Sequence, residues 1–300
     1  MKRYIHVFPE FVVFDEIFAC YQAAASRLGW MSVVHWSAQF SEWQDPNNVI
    51  VLWWCNFPSL IREVPPQRKA VFAMRYMESI GPPEKLCPLQ RAILESHLEY
   101  FKVPDLIIVG APSTAQFLSS HCRKVVAAPI GYNPEIMGTP GWSAPKEYDF
   151  GFCGCVVGRR EWIIPALRSR FGNRFVDITG RFGLDRKAAY DRCRVVLHIP
   201  HSEESYLSSE RIWQYIASSA AMVTEKRDVW PAIAGRHYIE LPEAQEKDVD
   251  KFIDQVEQTL KLPLTDIART AHEELSGYTV DRCLKEFMMP AVLDIPEPGR

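Results

Sequence analysis

Short apolar runs alternate with amphipathic segments along most of this chain of 300 residues. In the first half the apolar runs are Arg3–Phe8, Met31–Trp36, Val49–Trp54, Lys69–Met74, Leu106–Gly110 and Val125–Ala127. The segments between them, such as Phe14–Leu28, have the periodicity of helices. This alternation is typical of βαβ units, whose strands form parallel sheets covered by helices. The sequence therefore predicts an α/β protein.

A segment rich in glycine and proline, residues 138–147, interrupts the alternation, which then resumes. Such a composition is typical of linkers between domains, and the chain is long enough for two domains of about 150 residues each. We therefore expect one domain at residues 1–137 and a second at residues 148–275. The terminal segment, residues 276–300, should contain an amphipathic helix that ends at Pro290, because proline cannot continue the hydrogen-bond ladder.

Composition narrows the possible functions. The chain is 47% hydrophobic and 24% charged, with a net charge of −3, and its first 147 residues contain thirteen basic and thirteen acidic side chains. These values are typical of a globular protein and not of one that binds polyanions across a basic face. No apolar run approaches the ~18 residues of a membrane span, and the start has no signal-peptide pattern. We therefore expect a cytoplasmic protein without a membrane span.

Eight cysteines are scattered along the chain, mostly within apolar segments. Cys153 and Cys155 are close in sequence, but one intervening residue is too few for the usual zinc knuckle. We therefore expect buried free thiols and no metal site.

The first segment with a chemical signature is Tyr148-Asp-Phe-Gly-Phe-Cys-Gly-Cys-Val-Val-Gly-Arg-Arg160. An apolar strand opens into a loop of small residues that includes Gly154, and two arginines precede a helix. Backbone N–H groups at a helix start, with guanidinium groups beside them, bind phosphates. We expect Arg159, Arg160 or both to bind phosphate. The alternative is that one of them covers the sheet edge or pairs with Glu161.

A second glycine-containing turn, Gly180-Arg-Phe-Gly183, follows the next predicted strand. Glycine allows a backbone to approach a ligand closely. Gly180 is therefore a candidate for contact with the same ligand, and an ordinary turn is the alternative.

A serine-rich loop at residues 200–209 follows the apolar strand Val195–Ile199. It leads into a helix whose N-cap is Ser208 or Ser209. Arg211 follows in the first turn, where a cation is unfavourable unless an anion compensates it. We expect this helix start to contact an anionic ligand, and a capped helix without a ligand is the alternative.

These two segments together resemble the nucleotide-sugar-binding half of GT-B fold glycosyltransferases. The closest resemblance is to divergent group 1 and spore-coat-maturation-like enzymes, which have an R-x-x-E/Q helix followed by T-E, here Arg211 with Gln214 and then Thr224-Glu225. It covers roughly residues 148–260. It implies two Rossmann-like domains facing across a cleft, with the acceptor side in the first, the nucleotide sugar in the second, and a terminal helix that returns toward the first.

In the enzymes that this segment resembles, a glutamate at the position of Gln214 forms a hydrogen bond with the ribose of the nucleotide. The amide of a glutamine is also able to form hydrogen bonds with hydroxyls. An upstream acidic partner would fall near Tyr206, which is not acidic. The resemblance and the residue patterns imply this donor-binding set: Gly154, Arg159, Arg160, Gly180, Tyr206, Ser208, Ser209, Arg211, Gln214 and Glu225.

Catalytic carboxylates are expected in the first domain, in loops that follow its strands. Glu10 and Asp15 follow the first strand, and Glu78 follows the fourth. If transfer inverts the anomeric configuration, we expect Asp15 to accept the acceptor proton. The alternative is that Asp15 is an acid in the first turn of a helix, where the dipole favours it.

The sequence therefore predicts a hexosyl- or pentosyltransferase that moves a sugar from a nucleotide sugar, such as a UDP-sugar, to an acceptor hydroxyl. The acceptor would be a saccharide, a small molecule or a modified nucleic acid, and the nucleotide sugar would be a co-substrate with no further cofactor. Two alternatives are a phage-type DNA glycosyltransferase that acts on hydroxymethylated bases and a non-catalytic nucleotide-sugar-binding protein.

Overall fold

The structure is a computed structural model that describes residues 2–8, 15–34, 40–54, 59–76, 92, 95–200, 209–226 and 229–295. The chain divides into two compact units, one formed by residues 1–131 with 278–300 and the other by residues 132–277. Each unit contains one parallel sheet with helices between its strands. The predicted α/β class is confirmed.

The first unit has a six-stranded sheet in the order β2-β1-β3-β4-β5-β6. Its strands are β1 (Arg3–Phe8), β2 (Met31–Val34), β3 (Asn48–Trp54), β4 (Val71–Tyr76), β5 (Leu106–Val109) and β6 (Val125–Ala127). Its described helices before residue 131 are α1 (Asp15–Arg27), α2 (Phe40–Gln44), α3 (Ser59–Arg62) and α4 (Pro112–Leu118). All residues of β4 are buried, as expected for a parallel strand covered on both faces.

Strand β4 begins two residues later than the predicted strand Lys69–Met74 and continues to Tyr76. The N–H of Lys69 donates to the Trp43 carbonyl at 2.8 Å and is therefore outside the strand ladder. Arg75, which lies just after the predicted strand, pairs with β3 and is fully buried. Tertiary contacts therefore set both ends of this strand.

Residues 278–300 belong to the first unit. Their described elements are α11 (Val280–Cys283), a π-helical turn (Leu284–Met288) and α12 (Met289–Leu293). The prediction that Pro290 ends the helix is wrong, because Pro290 lies in the first turn of α12, where a backbone N–H is not required. A salt bridge of 2.6 Å between Arg27 and Asp281 connects α1 to this segment.

The second unit has a five-stranded sheet in the order β11-β10-β9-β7-β8. Its strands are β7 (Tyr148–Phe152), β8 (Phe175–Asp177), β9 (Cys193–His198), β10 (Ala221–Glu225) and β11 (Ile239–Leu241). Its helices are α5 (Pro134–Met137), α6 (Arg160–Phe171), α7 (Gly183–Asp191), α8 (Ser209–Ile216), α9 (Val249–Gln258) and α10 (Leu264–Leu275). Strand β7 pairs with β8 on one side and with β9 on the other.

Residues 138–147, predicted to be a linker, are hydrogen-bonded to the second unit. Lys146 Nζ donates to the carbonyl oxygens of Asp191 at 2.8 Å and Ser219 at 2.9 Å. The N–H of Gly141 donates to Asp191 Oδ1 at 3.2 Å. The compact units are divided in sequence after residue 131 and after residue 277.

The core of the second unit includes Phe150, Leu197, Val223 and Phe252, which are all buried. These residues lie on β7, β9, β10 and α9, so the core joins the sheet to a covering helix. No helix within the described ranges is both long enough and apolar enough to cross a membrane. The cytoplasmic location stays a prediction.

Candidate functional site

The second sheet has a topological switch point between β7 and β9. The chain winds from β7 to β8 on one side and continues through β9, β10 and β11 on the other. In doubly wound sheets, ligands bind outside the carboxyl ends of the strands at this point. The loops after β7 and β9 are the two segments that the sequence selects for anion binding. We call residues 153–160, 198–199 and 209–214 the switch-point site.

Arg160 connects the two sides of the switch-point site. Its Nε donates to the carbonyl of Ile199, just after β9, at 2.6 Å, and its Nη1 donates to the carbonyl of Cys155, after β7, at 2.9 Å. Its guanidinium also lies 5.4 Å from the Phe152 ring centroid. A side chain at Gly154 would place a Cβ 3.0 Å from Arg160 Nη1. A larger residue at position 154 would therefore press on the guanidinium, which its two carbonyl contacts orient within the site.

Arg159 has different partners from its neighbour Arg160. Its Nη1 and Nη2 donate to the two carboxylate oxygens of Glu225 at 2.9 and 2.7 Å, and Nη2 also donates to the carbonyl of Ala244 at 2.7 Å. Glu225 accepts the N–H of Ala244 as well. The Glu225 side chain is 0% exposed and that of Arg159 is 12% exposed.

The contacts of Arg159 and Glu225 with a donor stay predictions, and the described contacts of both side chains lie inside the second unit. Both carboxylate oxygens of Glu225 are bonded inside the second unit. This geometry matches the alternative in which one of the two arginines covers the sheet edge, although its acidic partner is Glu225 and not Glu161.

Helix α8 places Arg211 in its first turn, as predicted. Ile212 and Trp213 are buried, whereas Arg211 is half-buried. Arg211 Nη1 donates to the amide oxygen of Gln214 at 3.4 Å, and Gln214 is buried. Ribose binding by Gln214 stays a prediction. Tyr206, Ser208 and the Ser209 side chain lie outside the described part of the chain.

A threonine connects the loops after β7 and β8. Thr179 Oγ1 donates to the carbonyl of Gly154 at 2.7 Å and accepts the N–H of Gly154 at 3.2 Å. Gly180 follows with a φ of +83°, and open space surrounds the position of an added Cβ. This left-handed backbone is sufficient reason for a glycine at the turn. The contact of Gly180 with a ligand stays a prediction.

Sequence reasoning missed two buried polar residues near this edge. His198 ends β9, and its Nδ1 lies 3.1 Å from Thr224 Oγ1. Arg186 lies on α7 and is 4% exposed. A basic residue in the first turn of a helix was the signal that identified Arg211, and the same signal applied to α7 would have identified Arg186.

The predicted catalytic carboxylates lie almost entirely outside the described residues. Glu10 and Glu78 are not described, and Asp15 is described only as the first residue of α1. Their catalytic roles stay predictions.

Six of the eight cysteines are described, and all six are free thiols. Cys20, Cys193 and Cys283 are buried, whereas Cys155 at the switch-point site is exposed. No group of three or more metal-ligating side chains occurs among the described residues.

Comparison with known proteins identifies the fold. No family model matches the chain. An uncharacterised protein of Acanthamoeba polyphaga mimivirus is 31% identical over 62 residues, which are 21% of this chain and 8% of that protein.

Solved structures match over nearly the whole length. HepE of Anabaena, in complex with UDP and glucose, has a TM-score of 0.66 at 11% identity, with 94% of this chain and 97% of that chain covered. A UDP-forming α,α-trehalose-phosphate synthase from Burkholderia xenovorans has a TM-score of 0.61 at 10% identity, with 98% and 99% covered. AviGT4, a glycosyltransferase involved in avilamycin A biosynthesis, has a TM-score of 0.60 at 11% identity, with 98% of both chains covered. This chain, with two α/β units that each contain a parallel sheet, therefore has the GT-B fold of these glycosyltransferases.

Proposed function

We propose that this chain is a glycosyltransferase that transfers a hexose or a pentose from a nucleotide sugar to an acceptor hydroxyl. The observation that carries the proposal is Arg160, which bonds to carbonyl oxygens on both sides of the switch point. The GT-B fold supports the same reaction. HepE has been solved with UDP and glucose, and the Burkholderia synthase is UDP-forming, which supports a UDP-sugar as the donor.

Charge stabilisation by the arginines is the proposed source of catalysis. When the bond between the sugar and the diphosphate breaks, negative charge develops on the leaving oxygen. Donors that are oriented before this step stabilise that charge and lower the barrier. The carbonyl contacts of Arg160 orient its guanidinium, and Arg211 adds a second cation at the start of α8. Since these cations supply the positive charge, we propose that the reaction needs no metal or other cofactor.

The first unit is proposed to bind the acceptor. Asp15 is the proposed general base, with Glu10 and Glu78 as the other candidate carboxylates. The acceptor hydroxyl belongs to a saccharide, a small molecule or a modified nucleic acid.

Donor binding and turnover test the proposal separately. Thermal unfolding should be measured with UDP, GDP, ADP and their sugars, since a ligand at about a hundredfold excess over its Kd stabilises the folded state by about 2.7 kcal/mol. Release of the nucleoside diphosphate from the bound sugar donor should then be followed without an acceptor and with candidate acceptors. No stabilisation by any of these nucleotides contradicts the proposal. Binding without release under any of these conditions favours a non-catalytic binding protein, and acceptance of hydroxymethylated DNA favours the DNA-modifying alternative.

The substitution Asp15→Asn tests the catalytic half of the proposal. Loss of a general base lowers turnover by about 10²- to 10⁴-fold, while donor affinity should stay unchanged. Full turnover in this variant, or a product that retains the anomeric configuration of the donor, would show that Asp15 is not the base.

A further inference from the structure

Thr179 holds the backbone of Gly154 through a single hydroxyl. Gly154 is buried, so its N–H and its carbonyl both need hydrogen-bond partners. The N–H donates to Thr179 Oγ1 at 3.2 Å, and Thr179 Oγ1 donates to the carbonyl at 2.7 Å. Since a backbone N–H only donates, the hydroxyl accepts from it and gives its one proton to the carbonyl. One side chain therefore satisfies both backbone groups of Gly154.

These two bonds extend the ladder between β7 and β8 beyond its last backbone bond. The N–H of Ile178 donates to the carbonyl of Phe152 at 2.7 Å, and Phe152 lies opposite Asp177. Two residues further on in the same register, Gly154 lies opposite Thr179. There the hydroxyl takes the place of a backbone partner. The N–H and the carbonyl of Gly154 therefore both point toward the β8 side.

The next backbone donor, the N–H of Cys155, points to the other side of β7. The peptide bond between Gly154 and Cys155 is trans, so its carbonyl and its N–H point in opposite directions. Because the Gly154 carbonyl points toward Thr179 on the β8 side, the Cys155 N–H points toward the β9 side. The switch point lies between β7 and β9, and Cys155 is exposed there. Thr179 therefore directs a backbone donor into the switch-point site.

Arg160 occupies the backbone acceptors on the β9 side. In the register of β7 and β9, the carbonyl of Ile199 would accept the N–H of Cys155 if the parallel ladder continued. Arg160 Nε donates to that carbonyl, and Arg160 Nη1 donates to the carbonyl of Cys155. No residue in the described part of the chain accepts the N–H of Cys155. This N–H and the guanidinium of Arg160 therefore lie beside each other in the switch-point site.

Gly154 makes a restraint from a neighbouring side chain necessary. A Cβ at this position would lie 3.0 Å from Arg160 Nη1, so a larger residue would press on the guanidinium. Glycine, however, has the greatest conformational freedom of any residue. The two hydrogen bonds to Thr179 limit that freedom at the point where the loop has to hold both donors in place.

We propose that Thr179 is a positioning residue of the donor site, which fixes Gly154 so that the Cys155 N–H and the Arg160 guanidinium bind the diphosphate together. This inference rests on the proposed function and adds Thr179 and the backbone of Cys155 to it. Thr179 acts through the loop and does not itself contact the donor. Because donors that are oriented before the reaction stabilise the charge of the leaving diphosphate, loss of Thr179 lowers turnover as well as binding.

Titration calorimetry with inorganic pyrophosphate on the full chain tests the positioning role. Thr179→Val has a similar shape but removes both hydrogen bonds, and its pyrophosphate affinity should fall by about tenfold, since one hydrogen bond to a charged group has about this effect. Thr179→Ser keeps the hydroxyl and should retain the affinity. Thr179 is exposed, so both variants should melt close to the unsubstituted protein.

Thr259→Val is the matched control. The Thr259 hydroxyl donates to the carbonyl of Val256 at 2.6 Å just after α9, so this change also removes a bond from a threonine hydroxyl to a carbonyl in the second unit. The control variant should melt at a lower temperature and keep its pyrophosphate affinity. If the role of Thr179 were merely structural, Thr179→Val would behave in the same way.

Turnover provides a second measurement. The kcat for release of the nucleoside diphosphate from the bound sugar donor should fall by about tenfold or more in Thr179→Val, because an oriented donor contributes at least this much to charge stabilisation. Thr179→Ser should restore kcat. A change in melting temperature without a change in affinity or kcat would contradict the positioning role.

The outcomes separate this inference from the proposed function. Unchanged pyrophosphate affinity in Thr179→Val, or an equal loss in Thr179→Val and Thr179→Ser, would overturn the inference. If Thr179→Val does not fold, Thr179→Ala gives the same comparison with Thr179→Ser. If all these variants bind UDP and pyrophosphate as the unsubstituted protein does, the proposed function stands without this inference. If the unsubstituted protein binds neither pyrophosphate nor any nucleoside diphosphate, the proposed function itself fails.

Discussion

The two edges of the second sheet use their charged side chains differently. At the amino edge, arginines pair with carboxylates: Arg192 with Glu147, and Arg174 and Arg194 with Asp149. At the carboxyl edge, Arg160 donates to carbonyl oxygens and Arg211 donates to an amide oxygen. The amino edge is therefore held by ion pairs between side chains, whereas the described acceptors of Arg160 and Arg211 at the carboxyl edge include neutral oxygens. Anion binding at the carboxyl edge is part of the proposed function.

Arg159 differs from Arg160 in its described partners. It lies beside Arg160 in sequence, but its charge is compensated by Glu225 inside the second unit. Proximity to the switch point therefore does not give two neighbouring arginines the same partners.

The largest effect is expected for Glu225→Gln. This change removes the buried carboxylate that pairs with Arg159 and leaves the more exposed carboxylate of Glu243, at 3.4 Å, as a described acidic partner. Breaking a buried ion pair costs about 3–5 kcal/mol, and the remaining partner places the expected cost at about 3 kcal/mol. The free energy of unfolding, measured by urea titration, should fall by this amount. If the variant has unchanged stability and reduced UDP affinity, Glu225 contacts the donor and does not act mainly as a stabilising partner of Arg159.

The second-largest effect is expected for Arg211→Ala, which removes a cation from the carboxyl edge of the sheet. Affinity for the nucleoside diphosphate should fall by about 1.5–3 kcal/mol, the value of a hydrogen bond to a charged group, with unchanged thermal unfolding. Calorimetry with UDP and a melting curve measure the two quantities. If affinity and melting are both unchanged, Arg211 has no ligand role.

A smaller effect is expected for Arg192→Ala at the amino edge. Its ion pair with Glu147 is exposed, and exposed pairs contribute little and are screened by salt. The variant should show a slight loss of stability at low ionic strength, no loss at high salt, and full UDP affinity. Reduced UDP affinity would show that the two edges are not functionally separate.

The smallest effect is expected when the stability of the Glu147 variant is compared with that of the unsubstituted protein at low pH. The hydrogen bond from Arg192 lowers the pKa of Glu147 in the folded protein. The pair therefore stabilises the fold above the unfolded pKa of about 4.3, and this contribution is lost as the pH falls below that value. Unfolding measured at several pH values should show a weaker decline for Glu147→Gln than for the unsubstituted protein. An identical decline would show that the ion pair between Arg192 and Glu147 does not stabilise the folded protein.

The comparison also shows where sequence reasoning succeeds. Strand β1 has the predicted bounds, and Arg211 lies in the first turn of its helix as predicted. Both depend on patterns of fewer than about ten residues, which local periodicity and capping preferences determine. β4 was predicted two residues early, because the position of its start depends on a carbonyl of Trp43, 26 residues before Lys69.

The sequence by itself determined the α/β class, the resemblance to GT-B glycosyltransferases and the segments that contain the phosphate-binding candidates, because these follow from local patterns. Only the tertiary structure separated Arg159 from Arg160, since Glu225, the partner that compensates Arg159, is 66 residues away in sequence. It alone brought Tyr190 of α7 against Tyr215 of α8, and it alone joined residues 278–300 to the first unit. Burial and charge pairing depend on which distant residues meet, and that is decided when the sheet and its helices pack.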